Sequence, residues 1–175
     1  MLSDRSANLL AALATALADG QSLACENLGI HPSDAAALVT IGYHPRTTVS
    51  ALAPIIRITQ PAAVRLVERL DKAGLVRRGH GDDRRQVLLS LTRKGTALRT
   101  RILNERRAAV DKATAPLDLG QRARLEEMME AMLSALAANR ETADRICRLC
   151  DENVCPPDTC PVECAVVGRE AQHVD

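Results

Sequence analysis

Residues 59 to 91 constrain the fold more than any other stretch, because the spacing of apolar residues changes period within them. Thr59 is placed to cap a helix, with Pro61 in the first turn, where a missing N–H costs nothing. Ala63, Leu66, Val67 and Leu70 then recur at helical spacing as a buried stripe, and Gly74 closes the helix. Immediately afterwards the pattern becomes extended. Leu75 to Arg78 and Gln86 to Leu91 read as two strands about a turn from Gly79 to Arg85.

The flanking chain is helical. A first helix is expected from about Asp4 to Ala18, stopped by Asp19-Gly20, and a second from Pro32-Ser33 to Gly42, capped by Ser33 or His31. Thr47-Thr48 offers a cap to a short helix from Val49 to Pro54. Thr92 caps a long helix through about Ala113, and Asp118 with Gln121 forms a capping box that starts another through about Arg140. The expected class is mainly α with a small β-hairpin wing. Two short helices joined by a tight turn and followed at once by a hairpin describe a winged helix-turn-helix, here with dimerisation helices at about 3–20 and 93–140 around a DNA-binding lobe at about 33–92. Residues 1–140 thus form the winged-helix domain, and residues 141–175 a cysteine-rich, metal-binding tail.

Charge supports a polyanionic partner. The chain's net charge of +1 conceals 15 Lys/Arg against 5 Asp/Glu in residues 46–107, with 8 against 17 elsewhere. With the apolar stripe turned inward, the helix from Thr59 presents Gln60, Ala62, Arg65 and Arg69. Arg65 suits guanine, Gln60 adenine, Ala62 a thymine methyl, and Arg69 a phosphate. In the hairpin, Arg84 and Arg85 suit a narrow minor groove, with Asp82 or Asp83 holding a neighbouring arginine.

The runs Thr59 to Arg78 (TQPAAVRLVERLDKAGLVRR) and Gly81 to Gly95 (GDDRRQVLLSLTRKG) resemble the MarR family of winged-helix regulators, over about residues 3 to 140. The resemblance implies an obligate homodimer and two recognition helices on a pseudo-palindromic operator in double-stranded DNA. It also implies Arg85 as the wing arginine with Asp83 in support, and repression relieved by a small molecule, an oxidant or a metal. The residues agree on the dimer: Leu9, Leu10, Leu13 and Leu17 stripe the first helix, and Leu125, Met128, Met129, Met132, Leu133 and Leu136 the last. Tyr43 is the sole aromatic residue that could stack on an aromatic effector.

The departure from that family is a C-x2-C-x4-C-x4-C-x3-C run, Cys147, Cys150, Cys155, Cys160 and Cys164. Cys147, Cys150, Cys155 and Cys160 are the expected ligands, with Cys164 as the alternative, of zinc in first place or an iron–sulfur cluster in second. A bound metal staples a tail too short to hold its own core, and its loss changes the angle between dimer helices. Cys25 is a small buried residue before it is a sensing thiol, and His31, His44, His80 and His173 share no ligand spacing. The apolar run Ala7 to Ala18 is too short to span a bilayer and lacks a cationic flank, so a cytoplasmic protein away from membranes is expected. No nucleophile elbow, phosphate loop or carboxylate pair marks an enzyme. Two rival readings remain: a redox or electron-transfer protein built on the tail, and a winged helix that contacts only proteins.

Overall fold

A computed structural model of the chain describes residues 2–80 and 86–172. Eight helices and three strands follow one another among these: α1 (Asp4–Asn27), α2 (Pro32–Tyr43), β1 (Thr47–Thr48), α3 (Val49–Ile55), α4 (Gln60–Lys72), β2 (Val76–His80), β3 (Val87–Leu91), α5 (Arg93–Thr114), α6 (Leu119–Leu136), α7 (Arg140–Cys147) and α8 (Pro161–Gln172). The strands form one antiparallel sheet in the order β1-β3-β2, with Thr47 opposite Leu89 and Val76 opposite Leu91. The short β1, unanticipated from two threonines, closes the edge of the hairpin.

The lobe is assembled around α2, whose residues from Asp34 to Ile41 are all buried. Leu52 of α3, Leu66, Val67 and Leu70 of α4, Val76 of β2, Leu89 of β3 and Ile102 of α5 complete one core around it. All four residues of the Ala63–Leu70 stripe are buried, so the sequence periodicity and the packing agree. Three helix ends share one stop signal, a residue in the left-handed region whose N–H bonds back into the last turn. At α1 and α4 that residue is Gly29 and Gly74, both at φ 68°. At α3 it is Arg57, at φ 59°, with Arg57 N–H bonded to the Pro54 carbonyl and Ile58 N–H to the Ala53 carbonyl.

Four expectations are corrected. The first helix does not stop at Asp19-Gly20 but runs to Asn27, because α1 packs along α5 and that packing outweighs the poor helix propensity of Gly20. The helix from the Asp118–Gln121 capping box ends at Leu136 rather than near Arg140, and Asn139 caps a separate α7. Thr59 occupies the cap position of α4 without bonding it through its hydroxyl. The tail holds a small core of its own: Ala137, Ala143, Cys160, Val162 and Val166 are buried together, because α8 turns back along α6. Arg140 clamps this arrangement by pairing with Glu163 at 2.5 Å and Glu170 at 3.5 Å.

Candidate nucleic-acid interface and thiol cluster

The sequence-expected DNA residues on α4 lie together on its outer side. Thr59, Gln60 and Arg65 are exposed and Ala62 is half-buried, all on the first two turns, where free backbone N–H groups and the helix dipole favour a phosphate. Arg65 makes no hydrogen bond or ion pair among the described residues, so its guanidinium is available. Arg69 is differently placed. Its Nη2 and Nε donate to the two carboxylate oxygens of Asp34 at 2.5 and 3.2 Å, and this pairing raises its pKa above the ordinary arginine value. Asp34 is buried in the first turn of α2, so the pair ties α4 to α2.

His31 and Ser33 also reach this surface, lining with Ala62, Arg65 and Arg69 a shallow groove of about 440 Å³. His31 caps α2, its Nδ1 accepting from the Ser33 N–H at 3.2 Å. The sequence showed the cap but not its nearness to α4, which depends on how the two helices cross. The wing residues Asp82, Asp83, Arg84 and Arg85 lie outside the described residues.

A second site lies where the tail meets the lobe. A cavity of about 470 Å³ is lined from the lobe by Thr40, Tyr43 and Ile55, and from the tail by Cys147, Cys150, Cys155 and Cys160. The Cys147 thiol interacts with those of Cys150 and Cys160. This contact, aided by the neighbouring Arg106 guanidinium and opposed by burial, brings Cys150 down to about 6, while the same contact and burial push Cys147 up. Cys155 is exposed, and Cys164 is turned away, its Sγ lying 3.4 Å from the Asp158 carbonyl oxygen and 3.8 Å from that of Pro157. Among the described residues no three His, Cys, Asp or Glu side chains stand in ligating arrangement.

The tail packs on the lobe where α7 meets α3, and one short segment adds polar fastenings. The Arg106 guanidinium donates to the Leu149 carbonyl, the Tyr43 hydroxyl donates to the Asp151 carboxylate, and His44 Nε2 lies 3.1 Å from Glu152 Oε1. Tyr43 is further held by Arg99, whose guanidinium stands 3.8 Å over its ring. None of these contacts was visible in the sequence, since each joins residues more than 40 positions apart. Cys25 is buried in the lobe core, and burial raises its pKa.

Residues 28–86 match the family model described as "MarR family". Over that stretch the chain is similar to the MarR family. Solved structures share its fold. YusO from Bacillus subtilis is 22% identical over 77% of this chain and 99% of its own, with a TM-score of 0.66. Rv2887 from Mycobacterium tuberculosis, a MarR-family protein, has been solved with DNA (25% identity, 72% of this chain and 95% of its own, TM-score 0.61). It has also been solved with p-aminosalicylic acid (26% identity, 72% and 96%, TM-score 0.59). A search of curated proteins found no match. MarR-family proteins are transcription regulators, not enzymes. No helix among the described residues is long and apolar enough to cross a membrane.

Proposed function

We propose that this chain is a sequence-specific, DNA-binding transcription regulator that acts as a cytoplasmic homodimer, most simply as a repressor. The observation that carries the reading is α4: its inner stripe is fully committed to the core, while Gln60, Ala62 and Arg65, which has no ion-pair partner among the described residues, stand outside at the helix's positive end. The DNA-bound structure of Rv2887 supports the same use of this fold. In this reading Gln60, Ala62 and Arg65 read base edges and Thr59 approaches the backbone. Arg84 and Arg85, with Asp83 in support, serve the minor groove. Arg69, engaged by Asp34, seats the helix and lends the backbone only its exposed edge.

The dimer rests on exposed apolar faces near both ends of the winged-helix region: Leu9, Leu10 and Leu13 on α1, and Met128, Met129, Met132 and Leu136 on α6. The cysteine-rich tail holds a metal, zinc before an iron–sulfur cluster, and modulates DNA binding; a small-molecule or redox effector would act on the same coupling.

Selection of an operator from random duplex DNA, followed by gel shift against salt, tests the reading. The wild type should select a pseudo-palindrome with an affinity that falls as salt rises. Arg65→Ala should lose specificity at one base pair by about 1–3 kcal/mol, and Arg85→Ala should weaken binding. Binding that is absent, or indifferent to Arg65, would leave a protein-contacting winged helix instead.

A further inference from the structure

Resting on the reading that the tail holds a metal, we propose that Cys147, Cys150, Cys155 and Cys160, without Cys164, bind one zinc ion per chain. Loading then fastens the loop 148–153 to the end of α2. The ligand set follows from where the thiols lie. Four of the five tail cysteines line a single cavity, and Cys164 is not among them, being aimed at the carbonyls of Pro157 and Asp158. Cys147 and Cys150 are joined by a tight turn, Cys150 N–H to Cys147 carbonyl at 2.8 Å, and Cys160 is delivered from the start of α8 into contact with Cys147. Cys155, on the Pro156-Pro157 loop, completes the set by turning its exposed side chain inward. Ligation and closure are then one event, as expected where a site forms only on binding.

Spacing favours a single ion. With zinc–sulfur bonds of about 2.3 Å, four tetrahedral thiolates stand roughly 3.8 Å apart, close enough to touch one another. An iron–sulfur cluster interposes several atoms and holds its thiolates wider. The Cys147 thiol, with those of Cys150 and Cys160 both beside it in the cavity, suits the former. Charge agrees: zinc with four thiolates is a net dianion, and Arg106 and Arg148 both lie beside Cys150. The Nε of Arg106 is buried without a hydrogen-bond partner, a donor that such a centre would satisfy.

The same loop carries the fastening. Between Cys147 and Cys155 lie Leu149, Asp151 and Glu152, which hold Arg106, Tyr43 and His44. Fixing the loop at both ends therefore restrains the last turn of α2 and the turn into β1. This places the regulatory contact on the helix-turn-helix lobe itself, and not only on the angle between dimer helices.

Zinc titrated into full-length, anaerobically purified protein tests the proposal, with metal content, cobalt(II) substitution spectra and amide exchange as readouts. Wild type and Cys164→Ser should each bind one zinc and give the thiolate-to-cobalt bands of a tetrahedral site. Cys155→Ser and Cys160→Ser should bind about a hundredfold more weakly. Zinc should slow exchange at residues 40–48, and Tyr43→Phe combined with Glu152→Gln should keep the zinc while losing that response. Equal losses in Cys164→Ser and Cys155→Ser, a visible iron–sulfur absorption in the isolated protein, or unchanged exchange at 40–48 on loading would each overturn it. Gel shift on the metal-free protein stands apart, since it reports on DNA binding whatever the tail holds.

Discussion

A Cβ on Gly95 would overlap the carbonyl oxygen of Leu75, because the first turn of α5 starts against the junction of α4 and β2. Thr92 reinforces that junction, its hydroxyl donating to the Gly74 carbonyl at 2.6 Å while its N–H bonds the Leu75 carbonyl. Gly95→Ala should therefore destabilise by about 1–3 kcal/mol, although alanine is the better helix former, and thermal or urea unfolding checks this. Arg57 poses the reverse case. Its left-handed conformation costs an L-residue roughly 1–2 kcal/mol, and glycine returns part of that as unfolded-chain entropy. Arg57→Gly should raise stability by about 1 kcal/mol, seen as a higher urea midpoint at unchanged slope. The sequence announces the helix stop at Gly74 through its residue type, whereas at α1 it pointed to Gly20 and the stop lies at Gly29. It announces nothing at Arg57, where the bonds of the helix end, not the side chain, make the turn.

At the scale of the element, α4 is held by more than its apolar stripe. The Asp34–Arg69 pair fixes its rotation against α2, and with Asp34 buried but Arg69 about half exposed its coupling should be modest, about 1 kcal/mol. A double-mutant cycle of Asp34→Ala and Arg69→Ala in urea unfolding would measure it. Salt dependence then separates bracing from phosphate contact. If Arg69 braces, Arg69→Ala should leave the salt slope of DNA binding unchanged, whereas a lost phosphate contact would reduce it by about one unit. The sequence correctly placed Arg69 on the exposed side of the helix. It could not show Asp34 opposite, because Asp34 lies 35 positions earlier on a helix that reads as uniformly apolar.

At the scale of the whole molecule, exposed large apolar side chains gather on α1 and α6, near the ends of the winged-helix region. Leu13 is 46% exposed and Met129 43%, on helices otherwise well formed. Leu13→Glu with Met129→Glu should give monomers by sedimentation and abolish specific DNA binding, since two half-sites require two recognition helices. The order of α1 to α6, the hairpin, the inward stripe of α4 and the capping box at Asp118 were legible in the sequence, because each rests on residues within a few positions of one another. Local periodicity and capping chemistry decide such elements wherever the chain later packs. The passage of α1 through Gly20, the pairing of Arg69 with Asp34, the fold-back of α8 and the fastening of the cysteine loop to Tyr43 and His44 were decided only by tertiary structure. Each depends on close approach between distant segments, and the cost or gain of that approach is carried by the partner rather than by the residue itself.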